Sequence, residues 1–157
     1  MRTLSICLLG YAGFMRYSEI AGLRRCDIMF CESYMKLFIE KCKTDVYREG
    51  SWIYISKTES ELCPVKNLIL YLDIAKITDE SSKEFIFRAA TVTKANPAGT
   101  LRKGKYLSYT RTREILLKDL EGIGLNKRNF DLHGLSSGGA ASGQIVQKTW
   151  TLEVRAS

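Results

Sequence analysis

The sequence predicts an α+β domain, mostly helical, with a small antiparallel β-hairpin or sheet. Three observations carry that expectation. Near the N-terminus apolar residues recur at helical spacing (Leu4, Cys7, Leu8, Tyr11, Met15). Two short segments, YMKLFI (34–39) and SWIYIS (51–56), are rich in β-branched and aromatic residues. A third, from Pro64, returns to helical spacing through Val65, Leu68, Ile69 and Leu72.

Taken in order, the first helix is expected from about Thr3 to Gly22. Its apolar run, Leu4 to Met15, imitates a signal peptide but is too short to span a bilayer, and a core helix is the preferred reading. RRCDIMFCES follows as a basic turn. The two strand segments then form a hairpin around the polar loop EKCKTDVYREG. After the Pro64 helix comes the short apolar piece FIFR (85–88). Thr91–Tyr106, with Pro97, Gly99 and Gly104, reads as a mobile basic loop. Ser108 is placed to cap a helix reaching Glu121, with Leu116, Leu120 and Ile123 on its inner side. The order of helix, hairpin and further helices, without internal repeats, is that of an α+β domain.

Composition narrows the function classes. Twenty-four Lys and Arg against 17 Asp and Glu give a net charge of +7, which favours a polyanionic partner, with nucleic acid first. Five cysteines without CxxC spacing suit reduced, mostly buried thiols in an intracellular protein, and neither a disulfide framework nor zinc. GLSSGG lacks the GK[ST] of a phosphate-binding P-loop. No metal, cofactor or membrane partner is expected.

Three short motifs carry chemistry. YAGFMRYSEIAGL holds Arg16 with Glu19 three residues on, where a carboxylate braces a guanidinium. CKTDVYREG places Lys43 in the hairpin loop, with Lys41 as the alternative. FDLHGLSSGGAASG holds His133, the single histidine, with Ser136 three residues later.

In that order the motifs resemble the catalytic domain of the tyrosine recombinases, the phage-integrase family, in its eukaryotic mobile-element form. The resemblance covers residues 1–143 and leaves 144–157 unmatched. It implies site-specific DNA recombination and integration, double-stranded DNA and other recombinase protomers as partners, and a nuclear location. It assigns catalytic positions to Arg16, Lys43 and His133, with Glu19 in support. In the family a tyrosine attacks a phosphodiester to leave a 3′-phosphotyrosine link. Two arginines grip the non-bridging oxygens, a lysine protonates the leaving 5′ oxygen, and a histidine assists proton transfer.

The sequence departs from the family twice. Ser136 stands where H-x-x-R has its arginine, and a short neutral hydroxyl supplies neither charge nor a two-pronged grip. Such a loss costs roughly 100-fold to 1000-fold in rate. The last tyrosine, Tyr109, precedes the motif, which implies a premature end and no cleavage. The helical domain that completes the family's clamp also lies outside the chain, so weaker DNA affinity is expected. The remaining phosphate contacts are assigned to Arg24, Arg25, Lys41, Arg48, Arg102, Lys103, Lys105, Arg111 and Arg113. The alternatives are an active fragment completed by missing sequence or in trans, and a non-catalytic DNA-binding or protein-interaction module.

Overall fold

The computed structural model describes residues 1–40, 50–94, 96–126, 132 and 134. Among them are four α-helices and two antiparallel sheets, the α+β architecture expected from the sequence. Lys41, Lys43, Arg48, His133, Ser136 and the 144–157 tail lie outside the described residues.

The first expected helix is two. α1 spans Arg2–Ala12 and α2 spans Tyr17–Gly22. Gly13 ends α1, its N–H donating to the Leu9 carbonyl at 2.9 Å. Phe14 then takes a left-handed φ of 52°, rare for a residue with a side chain. The reversal leaves Phe14 exposed and sinks Met15 into the core. It also corrects the face of α1. Ser5, Ile6, Leu9 and Gly10 are buried, while Leu4 and Tyr11 are exposed. LSICLLGYAGF is apolar on both sides, so periodicity alone did not choose between them.

RRCDIMFCES is more than a turn. Arg25–Asp27 form a 3-10 turn, and Ile28–Phe30 form strand β1. β1 joins β2 (Tyr34–Ile39) and β3 (Ser51–Ser56) in an antiparallel sheet of order β1-β2-β3. Both strand segments fall where the sequence placed them. Met29 faces Lys36, which faces Tyr54, and Phe38 faces Trp52. Alternation sends Met35, Leu37, Ile39 and Ile55 inward.

α3 (Pro64–Ile74) opens with its proline at the first turn, where a missing N–H costs nothing. It packs on α1. Val65, Leu68 and Leu72 are buried as expected, but the fourth apolar contact is Tyr71 and not Ile69, which is 45% exposed. The Tyr71 hydroxyl donates to the Ile86 carbonyl at 2.9 Å, and its ring stacks on Phe87 at 5.2 Å.

The expected loop at 91–106 is instead a second hairpin, β4 (Arg88–Thr93) and β5 (Asn96–Tyr106). A two-stranded sheet has only edges, where proline and glycine are tolerated, and its register is broken by bulges. The hairpin is tied to the body where the Leu107 N–H donates to the Phe87 carbonyl at 2.8 Å. α4 (Tyr109–Gly122) begins at Ser108, whose hydroxyl accepts from the Arg111 N–H at 3.3 Å. Leu116 is buried and Leu120 half-buried, but Ile123 lies past the helix end and is exposed. Cys63 is buried, Cys7 and Cys31 are half-buried and Cys26 is exposed, so the thiols are less buried than composition suggested. Among the described residues no helix is long and apolar enough to cross a membrane.

Candidate nucleic-acid interface

Arg16 occupies the N-cap of α2, in extended conformation, and not the interior of a longer helix. The Glu19 carboxylate serves it twice. Oε2 accepts the Arg16 backbone N–H at 2.7 Å, closing one of the helix's open donors. Oε1 lies 3.5 Å from the Arg16 guanidinium. Glu19 is 9% exposed at its side chain and Arg16 48%. A nearly buried anion therefore holds a guanidinium whose outer edge remains in water. That is the disposition a phosphate-gripping arginine needs.

Tyr17, which carries no motif signal in the sequence, fixes this corner. Its hydroxyl donates to the Leu107 carbonyl and sits 2.7 Å from Thr112 Oγ1. Its ring meets Tyr109 edge-on at 5.4 Å. Thr112 Oγ1 in turn donates to the Ser108 carbonyl. The start of α2 is thus latched to the end of β5 and the start of α4. Burial, the largest influence, raises the Tyr17 pKa above its ordinary value, so the phenol stays protonated and structural. Partners so distant in sequence leave no local signal.

The remaining cations divide by environment. Arg24 is half-buried, with its guanidinium 5.5 Å from the Phe85 ring. Its backbone N–H donates to Asp27 at 2.9 Å. Arg25 is different: it is 5% exposed, pairs with Glu80 at 2.8 Å and donates to the Ile28 carbonyl at 3.1 Å. A guanidinium so enclosed is a brace for the β1 end of the sheet and has no open edge for a phosphate. In sequence it looks equivalent to Arg24 because the two are adjacent.

Arg102, Lys103 and Lys105 are exposed along β5, with Arg102 Nε donating to Thr91 Oγ1 at 2.6 Å. The Gly104 N–H between the lysines donates to Glu84 at 2.9 Å. Arg111 and Arg113 flank the buried Thr112 at the exposed start of α4, and Arg111 pairs with Glu114 at 3.0 Å. Because Tyr17 joins Arg16's helix to this same junction, Arg16, the end of β5 and the start of α4 belong to one scaffold.

A cleft of about 190 Å³ lies beside α2, lined by Glu19, Arg24, Asp27, Phe38 and Glu40 among others. It sets three carboxylates against one guanidinium, so it repels phosphate; the useful cations lie outside it. Of the three catalytic positions named from sequence, Arg16 is placed with its support, Glu19, while Lys43 and His133 lie outside the described residues. Leu132, just before His133 in sequence, is itself 4% exposed. Among the described residues no cluster of His, Cys, Asp and Glu could hold a metal ion. No family model matches the chain, and no curated protein matches its sequence.

Proposed function

We propose that this chain is a DNA-binding domain of the tyrosine recombinase type, with a strand-cleaving centre disabled at the H-x-x-R position. One observation supports the reading above all: Arg16, braced by Glu19 and half open to solvent, caps a short helix that leads through β1 into the antiparallel β2–β3 hairpin. The sequence between its strands contains Lys43, and His133 follows in the right frame. On this reading Arg16 grips a non-bridging phosphate oxygen, and the exposed cations of β5 and α4 hold the flanking backbone. With Ser136 in place of the second arginine, one half of the phosphate clamp has no charge. Binding would then outlast catalysis.

Duplex binding followed by fluorescence anisotropy across a salt series tests the reading. The affinity should fall steeply with salt. Arg102→Gln, Lys103→Gln and Lys105→Gln together should flatten the log–log slope by about 0.9 for each phosphate no longer neutralised. Salt-independent binding, or none, overturns it. A nicked suicide duplex, which traps a covalent phosphotyrosine, should yield no adduct. An adduct would instead mean an active centre, with the nucleophile in this chain or supplied by another protomer.

A further inference from the structure

The outer face of the β1-β2-β3 sheet has no part in duplex binding as proposed. Period-two alternation puts Met29, Tyr34, Lys36, Phe38, Trp52 and Tyr54 on that side, opposite the core residues Met35, Leu37, Ile39 and Ile55. Tyr54 is 64% exposed, Met29 49% and Trp52 46%. Cross-strand aromatic pairing is a common reason for rings on a sheet, and it accounts for Phe38 against Trp52 at 5.1 Å and Tyr34 against Tyr54 at 6.0 Å. It does not account for Trp52 and Tyr54 being left 46% and 64% exposed, with no described element laid over them.

Within the three strands the charge is one-signed, and the acids Asp27 and Glu40, each one residue beyond a strand end, line the cleft beside α2. The three strands contain no Asp or Glu, and their one charged residue is Lys36. Lys36 lies at the centre of the face, between Met29 and Tyr54 in register, and its ammonium sits 5.4 Å from the Trp52 ring centroid. The exposed rings are tyrosine and tryptophan, amphipathic and suited to a wet, polar ligand. The aliphatic residues that make an obligate protein interface are on the other side. Successive outward rows along a strand are about 6.7 Å apart, which matches the step of an unstacked, extended nucleotide chain.

We infer that this face is a stacking platform for unpaired nucleotides, with Trp52 and Tyr54 each taking a base and Lys36 facing the backbone. Sequence-tolerant binding of single strands needs this combination of π-faces and a cation, because every base has a face to stack. A paired duplex hides those faces, so the platform is selective for single strands. The inference stands on the sheet alone and not on the recombinase reading.

The test uses the full chain carrying Trp150→Phe, so that Trp52 is the sole tryptophan. Titration with a short oligothymidylate should quench Trp52 emission, and a duplex of equal length should not reverse the quenching. Tyr54→Thr, which keeps a β-branched residue in the strand but removes the ring, should weaken binding about tenfold, whereas Tyr54→Phe should retain it. Lys36→Gln should weaken it and reduce its salt dependence. The variant with Arg102, Lys103 and Lys105 changed to glutamine should lose duplex affinity yet keep the quenching, which separates this platform from the duplex-binding surface. No quenching, equal affinity in Tyr54→Thr, or full reversal by duplex each overturns the inference. Self-association that shields Trp52 without oligonucleotide binding overturns it in favour of a protein interface.

Discussion

At Arg16 and Glu19 structure and proposed function can be pulled apart by substitution. The cap is made by the Arg16 backbone N–H and the Glu19 carboxylate, so the arginine side chain takes no part in it. Glu19→Ala removes both cap and brace and should cost about 1 kcal/mol in denaturant unfolding. Glu19→Gln keeps an acceptor and should recover most of that. Arg16→Ala should cost less than about 1 kcal/mol, since it deletes an ion pair whose guanidinium end is half in water and leaves the cap intact, while lowering duplex affinity. A large stability loss in Arg16→Ala would make the residue a structural one. Gly50 offers a second test at this scale. It closes the hairpin at φ 75°, and a Cβ there would lie 2.4 Å from the Phe38 ring. Gly50→Ala should therefore destabilise by about 1–3 kcal/mol and shift the Phe38–Trp52 pair.

Among the elements, those with a strong local code were legible. YMKLFI and SWIYIS alternate without interruption, Pro64 marks a helix start, and Ser108 caps a helix where expected. The errors came where tertiary contacts decide. The α1–α2 break depends on Met15 reaching the core, β1 exists because β2 offers a free edge, and β5 pairs despite its proline and glycines. In the candidate site, the Arg16–Glu19 pair was readable from spacing, but the burial of Arg25 and the latch through Tyr17 were not. That latch makes the start of α4 a joint between elements. Tyr17→Phe removes the hydroxyl from the buried Leu107 carbonyl and from Thr112, and should cost about 1–2 kcal/mol. Ser108→Ala should cost about 1 kcal/mol through the lost cap alone. Thermal melts of the two single variants and the double variant measure their coupling. A combined loss smaller than the sum of the two separate losses would show that they stabilise one shared unit.

For the molecule as a whole, the buried acids that matter are weak ones. Cys7 is pushed from 9.0 to about 11, first by burial and then by the Asp119 carboxylate on α4. Burial likewise raises Tyr17 and Tyr71 above the ordinary tyrosine value of 10.0. In each case the folded state holds its proton more tightly than the unfolded chain does. Below the unfolded values both states are protonated and the contribution is fully present. As pH rises past them the unfolded state releases protons first, so stability falls. Unfolding free energy, measured by urea titration at stepped pH, should therefore show no loss from these groups up to about pH 9. It should then decline as pH climbs through the window of 9 to 11 set by Cys7, with the tyrosines adding to the slope above 10. Cys7→Ser deletes the Cys7 contribution and should make the decline between 9 and 11 shallower, with Cys26, whose thiol burial also raises above 9.0, still contributing from the same onset. An unchanged slope in that variant would mean that Cys7 is not held protonated by the packing of α1 near Asp119.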